Sequence, residues 1–133
     1  MTVMSAVEVW GVTVPAEPGQ LHRARHGLRE WLLDVGVGRT TREDAVWSAD
    51  EAMSDAIANG YQSGTGLTAL TLSAHVDDEV VVVTVVDEGQ ERLSAPSSTL
   101  ASRGMAIVRV LADQVNLAVA DGRTTFTAWF TRA

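Results

Sequence analysis

Asp50-Glu-Ala-Met-Ser-Asp-Ala-Ile-Ala-Asn-Gly-Tyr61 decides how this chain is read, because it sets Glu51, Asp55 and Asn59 at successive four-residue steps. At roughly 100° per residue these three polar groups share one stripe of a helix. Val46, Ala49, Met53, Ala56, Ile57 and Gly60 fall on the opposite side. The pattern predicts one face for a core and one able to hold something. Taken alone, the polar stripe also describes an ordinary solvated acidic face, so its meaning depends on the rest of the chain.

Upstream, Thr40 or Thr41 stands before Arg42-Glu43-Asp44. That order supplies an N-cap and places acids at the positive end of the helix dipole, which starts the helix near Thr41 and carries it to Asn59 or Tyr61. Before it, Leu21, Ala24, Leu28, Trp31, Leu32 and Val35 recur at helical spacing, so Gln20 to Asp34 reads as a first helix ended by Gly36 to Gly38. Val7, Val9, Val12 and Val14, with Trp10 among them, predict an opening strand stopped by Pro15 and Pro18. His22 and His26 share a face of the first helix, yet with no third ligand nearby they read as surface or partner-facing groups.

Downstream, Leu67 to Val76 alternates apolar and polar residues, Asp77-Asp78 makes a tight turn, and Glu79 to Val86 is nearly continuous valine. This is a hairpin whose second strand is covered on at least one face. The valines stop at Asp87-Glu88-Gly89, and Gln90 to Ser102 has little periodicity, which predicts a loop long enough to have a function. Arg103 to Asp113 returns to helical spacing, and Val115 to Ala120 with Thr124 to Thr131 closes the chain as a second hairpin around Asp121-Gly122. The order β-α-α-β-β-loop-α-β-β, with hairpins in place of crossovers, predicts an α+β fold: a two-layer sandwich with helices on one face of a mixed, mostly antiparallel sheet.

At 133 residues the chain is expected to form a single domain over residues 1–133. It has no cysteine, which removes disulfides and thiolate metal sites. All ten basic residues are arginine, which removes a P-loop lysine, a Schiff base and a lysine general base. A net charge of −7 argues against a broad nucleic-acid surface. Arg23, Arg25 and Arg29 are the nearest approach to a basic patch, and they share their helix with Glu30 and Asp34. No signal peptide or membrane-spanning stretch is apparent, so a soluble, cytoplasmic protein is expected.

The acidic stripe, the aspartate after the valine strand and the loop running into a glycine-started helix occur in an order that resembles the Bergerat-fold (GHKL) ATP-binding domain of gyrase-type, heat-shock, histidine-kinase and mismatch-repair ATPases. Within it the chain resembles the anti-sigma-factor serine/threonine kinases. Glu51-Ala-Met-Ser-Asp55-Ala-Ile-Ala-Asn59-Gly-Tyr is similar to the family's Glu-x-x-x-Asn helix and His-Gly-Tyr-like segment. Asp87-Glu-Gly89 is similar to its Asp-x-Gly motif, Ser102-Arg103-Gly104-Met105 to its Gly-x-Gly-Leu-like motif, and Arg123-Thr124-Thr125 to its Gly-Thr-Thr-like strand.

The resemblance implies ATP and Mg²⁺ as cofactors, with Glu51 as catalytic base and Asp55 on the metal. It assigns nucleotide contacts to Asp55, Asn59, Asp87, Gly89, Ser102, Arg103, Gly104, Met105 and Thr125, and makes residues 90–102 a lid. It further implies partner switching between a sigma factor and a small anti-anti-sigma (STAS) protein that is phosphorylated, by a homodimer acting on transcription without touching nucleic acid or membrane. Asp55 stands where the family has asparagine, Glu91 where many members have a further glycine, and Ser102 in place of a glycine. These departures leave a second reading open, a degenerate ATP-binding or anti-sigma module with little or no phosphotransfer.

Overall fold

The computed structural model describes residues 7–63, 67–89, 103–120 and 123–132. Its elements run β1 (Glu8–Pro15), a 3-10 turn (Pro18–Gln20), α1 (Leu21–Asp34), α2 (Arg39–Ser63), β2 (Leu67–Val76), β3 (Val80–Gly89), α3 (Arg103–Leu111), β4 (Gln114–Ala120) and β5 (Arg123–Thr131). The five strands form one sheet in the order β1-β2-β3-β5-β4. Every pairing among them is antiparallel, so the expected mixture contains no parallel pair.

Strand alternation sorts the sheet into two faces. Val14, Leu70, Leu72, Ala74, Val81, Val83, Val85, Phe126, Ala128 and Phe130 point to one side and are buried with Leu28, Leu32, Val46, Ala49 and Met53 from the helices. Burying Leu28 or Leu32 contributes about 1.5–3 kcal/mol each. The first two helices and α3 therefore form the second layer of an α+β sandwich. Trp10 fixes α1 over the edge strand by stacking on Trp31, with centroids 6.3 Å apart, and by lying over Gly27, where a Cβ would sit 2.9 Å from Trp10 Cζ2.

The end of α1 is set by Gly36, whose φ of +86° is the left-handed conformation that glycine adopts cheaply. Its amide donates to the Leu33 carbonyl and the Val37 amide to the Leu32 carbonyl, a Schellman closure with Val37 packed in the core. The next helix starts at Arg39, ahead of the Thr40 or Thr41 cap expected from sequence, because the Gly38 carbonyl already accepts the Arg42 amide. Arg25 and Arg29 pair with Asp50 and Glu43 of α2 at 2.8 and 3.0 Å, so part of the basic face of α1 is used inside the molecule. His22 Nδ1 lies 3.0 Å from the Gly19 carbonyl, and no metal-binding cluster occurs among the described residues.

Strand β3 also runs further than the valines. Asp87, Glu88 and Gly89 continue to pair with β2, opposite Leu70, Ala69 and Leu67, while the ladder to β5 stops at Val86 opposite Thr125. The sheet therefore begins to part at Asp87, on the side of β5.

Candidate functional site

Where β3 and β5 part, the Asp87 carboxylate takes over from the backbone ladder: its Oδ1 accepts the Thr124 amide at 2.8 Å. Both residues lie on the helix side of the sheet, since Asp87 follows Val81, Val83 and Val85 at two-residue steps and Thr124 precedes Phe126, Ala128 and Phe130. Asp87 is 4% exposed and Thr124 9%. Among the described residues the Thr124 hydroxyl has no hydrogen-bond partner. A buried hydroxyl without a partner costs about 1–3 kcal/mol, so it marks a place where a polar ligand would be welcome. Thr125, the residue expected here from sequence, is the next in the strand and lies on the opposite face of the sheet.

The second part of the site is on α2. Glu51 and Asp55 are half-buried neighbours one turn apart. Burial first, then the charges of Asp55 and Asp50, hold the Glu51 carboxyl above the ordinary glutamate range. A carboxyl tuned this way is a better proton acceptor near neutral pH than a free one. Asp50, the immediate neighbour, is tied to Arg25.

The third part is the start of α3. Gly104 lies against Glu51 so closely that a Cβ built on it would overlap the Glu51 carboxylate. The structure thus brings Glu51 to the start of α3, where the resemblance assigned a nucleotide contact to Gly104. Met105, the next residue, turns its side chain into the core at 1% exposure. Asn59 lies in α2, Gly89 in β3 and Arg103 at the head of α3. Ser102, Glu91 and the proposed lid at residues 90–102 fall outside the described residues.

Two groups were missed by sequence reasoning. The phase of Phe126, Ala128 and Phe130 already places position 124, and not 125, on the core face. The Arg25–Asp50 pair joins two helices and had no local signal.

The residues present suit a nucleotide with its metal. A buried carboxylate and an orphaned hydroxyl offer a purine edge an acceptor and a donor. Asp55 is an oxygen ligand of the kind Mg²⁺ uses when phosphates and waters complete its shell, which needs no cluster of three protein ligands.

Among the described residues, no helix is long and apolar enough to cross a membrane. A sequence model of the histidine kinase-like ATPase domain matches residues 14–129. The crystal structure of the RsbU and RsbW domains of Rv1364c from Mycobacterium tuberculosis superposes with a TM-score of 0.71 at 24% identity, over 94% of this chain and 32% of that one. The chain therefore spans about a third of the length of that structure, and the likeness bears on the fold.

Proposed function

The chain belongs to the histidine kinase-like ATPase domain family, and from that premise we propose that it is an ATP-dependent serine/threonine protein kinase. In this reading it acts in the cytoplasm as an anti-sigma factor, a homodimer that holds a sigma factor and phosphorylates a STAS-type anti-anti-sigma protein. The observation that carries the proposal is the Glu51 carboxylate, its proton affinity raised by burial and by Asp55, seated at the head of α3.

Asp87 and Thr124 would read the adenine, the carboxylate accepting from its amino group and the unpartnered hydroxyl meeting a ring nitrogen. Asp55 would hold Mg²⁺, which supplies neutralisation of the phosphate charge. The amides opening α3 would face the phosphates, where the helix dipole favours anions. As the partner's serine oxygen bonds to the γ-phosphorus, the bond from that phosphorus to the β,γ-bridging oxygen breaks and ADP leaves. Glu51 takes the hydroxyl proton. Such transfer depends mainly on positioning and charge neutralisation, so the absence of lysine is no obstacle.

The test is transfer of label from γ-labelled ATP to a candidate STAS partner from the same genome, with Glu51→Ala alongside. The proposal expects serine or threonine phosphorylation that Glu51→Ala abolishes; transfer that persists unchanged removes Glu51 as the base. Asp55 favours the second reading, an ATP-binding anti-sigma module, because it adds a negative charge beside the phosphates where the family has a neutral asparagine. Nucleotide binding with sigma-factor capture and no transfer would select it.

A further inference from the structure

We propose that Gly104 is a positioning residue for Glu51: the missing side chain at position 104 is what lets the Glu51 carboxylate lie against the head of α3. Glycine is usually retained where φ is positive or where another group needs the space. Among the described glycines only Gly36 has a positive φ, so the backbone at Gly104 would accept any residue. Space is what fails. A Cβ at Gly104 would overlap Glu51 Oε1 and Cδ and lie 2.5 Å from Cγ, so the whole end of the Glu51 side chain crowds that volume. Gly11, Gly19, Gly27, Gly36 and Gly38 are less encroached upon. A Cβ at Gly19 or Gly38 would meet nothing within 4 Å, one at Gly11 or Gly36 would find its nearest atom at 3.6 or 3.4 Å, and one at Gly27 would meet Trp10 at 2.9 Å.

An alanine here would displace the carboxylate from the head of α3. The bare backbone at position 104 thus leaves room for the base at the mouth of α3. The role as a positioner rests on reading Glu51 as the base; the steric contact does not. A different explanation, that glycine lets phosphate approach the backbone, makes a different prediction, because that need does not depend on Glu51.

A double-mutant cycle of Gly104→Ala and Glu51→Ala separates them. Without nucleotide, Gly104→Ala in the Glu51→Ala background is expected to raise the melting temperature by about 2–4 °C, the ordinary gain from replacing a helical glycine in a domain of this size. In the Glu51 background that gain disappears or reverses. With Mg·ATP and a phosphorylatable partner, Gly104→Ala lowers kcat at least ~10-fold while the nucleotide dissociation constant stays within about twofold in both backgrounds. Equal melting shifts in the two backgrounds overturn the proposal. So does an equal loss of nucleotide affinity in both, which assigns the glycine to phosphate. A Gly104→Ala protein that folds only alongside Glu51→Ala supports it as well as the melting shifts would, and one that folds in neither background overturns it. If none of the four proteins binds nucleotide, the kinase reading falls and the melting cycle still decides the contact.

Discussion

Asp87 has two separable jobs, and replacing it with alanine and with asparagine tells them apart. The ladder between β3 and β5 ends at Val86 and Thr125, so the buried Thr124 amide has the Asp87 carboxylate as its acceptor at 2.8 Å. Asp87→Ala leaves that amide without this acceptor, at a cost of about 1–3 kcal/mol. For a domain of this length, that lowers the melting temperature by about 4–12 °C. Asp87→Asn keeps an amide oxygen in the same place and should stay within about 1 kcal/mol of the wild type. Nucleotide should not distinguish the two variants. A carboxylate bonded to the adenine amino group contributes about 1.5–3 kcal/mol, so either variant should weaken Mg·ATP about 10- to 100-fold in a calorimetric titration. Thermal melting without nucleotide, run beside that titration, checks both halves. An asparagine variant melting as low as the alanine variant refutes the argument from the Thr124 amide. One that binds ATP as the wild type does refutes the adenine assignment.

Burial, Asp55 and Asp50 raise the Glu51 pKa, so the folded chain holds this proton more tightly than the unfolded one; the resulting stability is full below about pH 4.5 and is lost as pH rises through the folded value. Glu51→Gln without nucleotide should therefore melt above the wild type at pH 7.5, with the difference shrinking toward pH 4.5, and a difference that grows toward acid refutes the sign. Asp55→Asn should strengthen ATP binding in the absence of Mg²⁺ by about fivefold, the effect of ~1 kcal/mol of like-charge repulsion, and reduce the gain on adding Mg²⁺; equal affinities for the two proteins, with and without metal, would sink it. Arg132 donates to the Asp77 and Val35 carbonyls at 2.9 and 3.1 Å, at the end of β5 remote from Thr124. Arg132→Met should cost about 1–2 kcal/mol in urea unfolding and leave ATP affinity unchanged, so a loss of affinity would contradict that separation.

Elements governed by contacts close in sequence were legible in the residues. Asp77 accepts the Glu79 and Val80 amides at 2.7 and 2.8 Å, so its turn is built almost wholly from its own neighbours, and the hairpin of β2 and β3 could be read from Asp77-Asp78 between apolar runs. The same two bonds hold the Asp77 carboxyl below its ordinary range. The end of α1 was likewise announced by its glycines. The start of α2 was misplaced because threonine is a good cap in general, whereas here the Gly38 carbonyl, positioned by the buried Val37 next to it, accepts the first bond.

The far end of β3 shows why a site is harder to read than a fold. A polar Asp-Glu-Gly after a valine run looks like a strand ending, and toward β5 it is one, yet toward β2 the pairing continues to Gly89. Whether a strand ends depends on which neighbour is asked, and that information lies in β2 and β5. The same parting of strands turns Asp87 from a terminus into an acceptor for Thr124. It also makes the choice between two adjacent threonines consequential, because a one-residue shift in a strand reverses the face of the side chain. Motif resemblance alone led to Thr125, but Phe126, Ala128 and Phe130 set the phase that puts Thr124 beside Asp87. Glu51 against Gly104 goes a step further, since a glycine in sequence does not say which distant side chain fills its space. The helical stripe of Glu51 and Asp55 could be drawn from spacing; that its carboxylate is received by another helix could be seen only once α3 was folded onto α2.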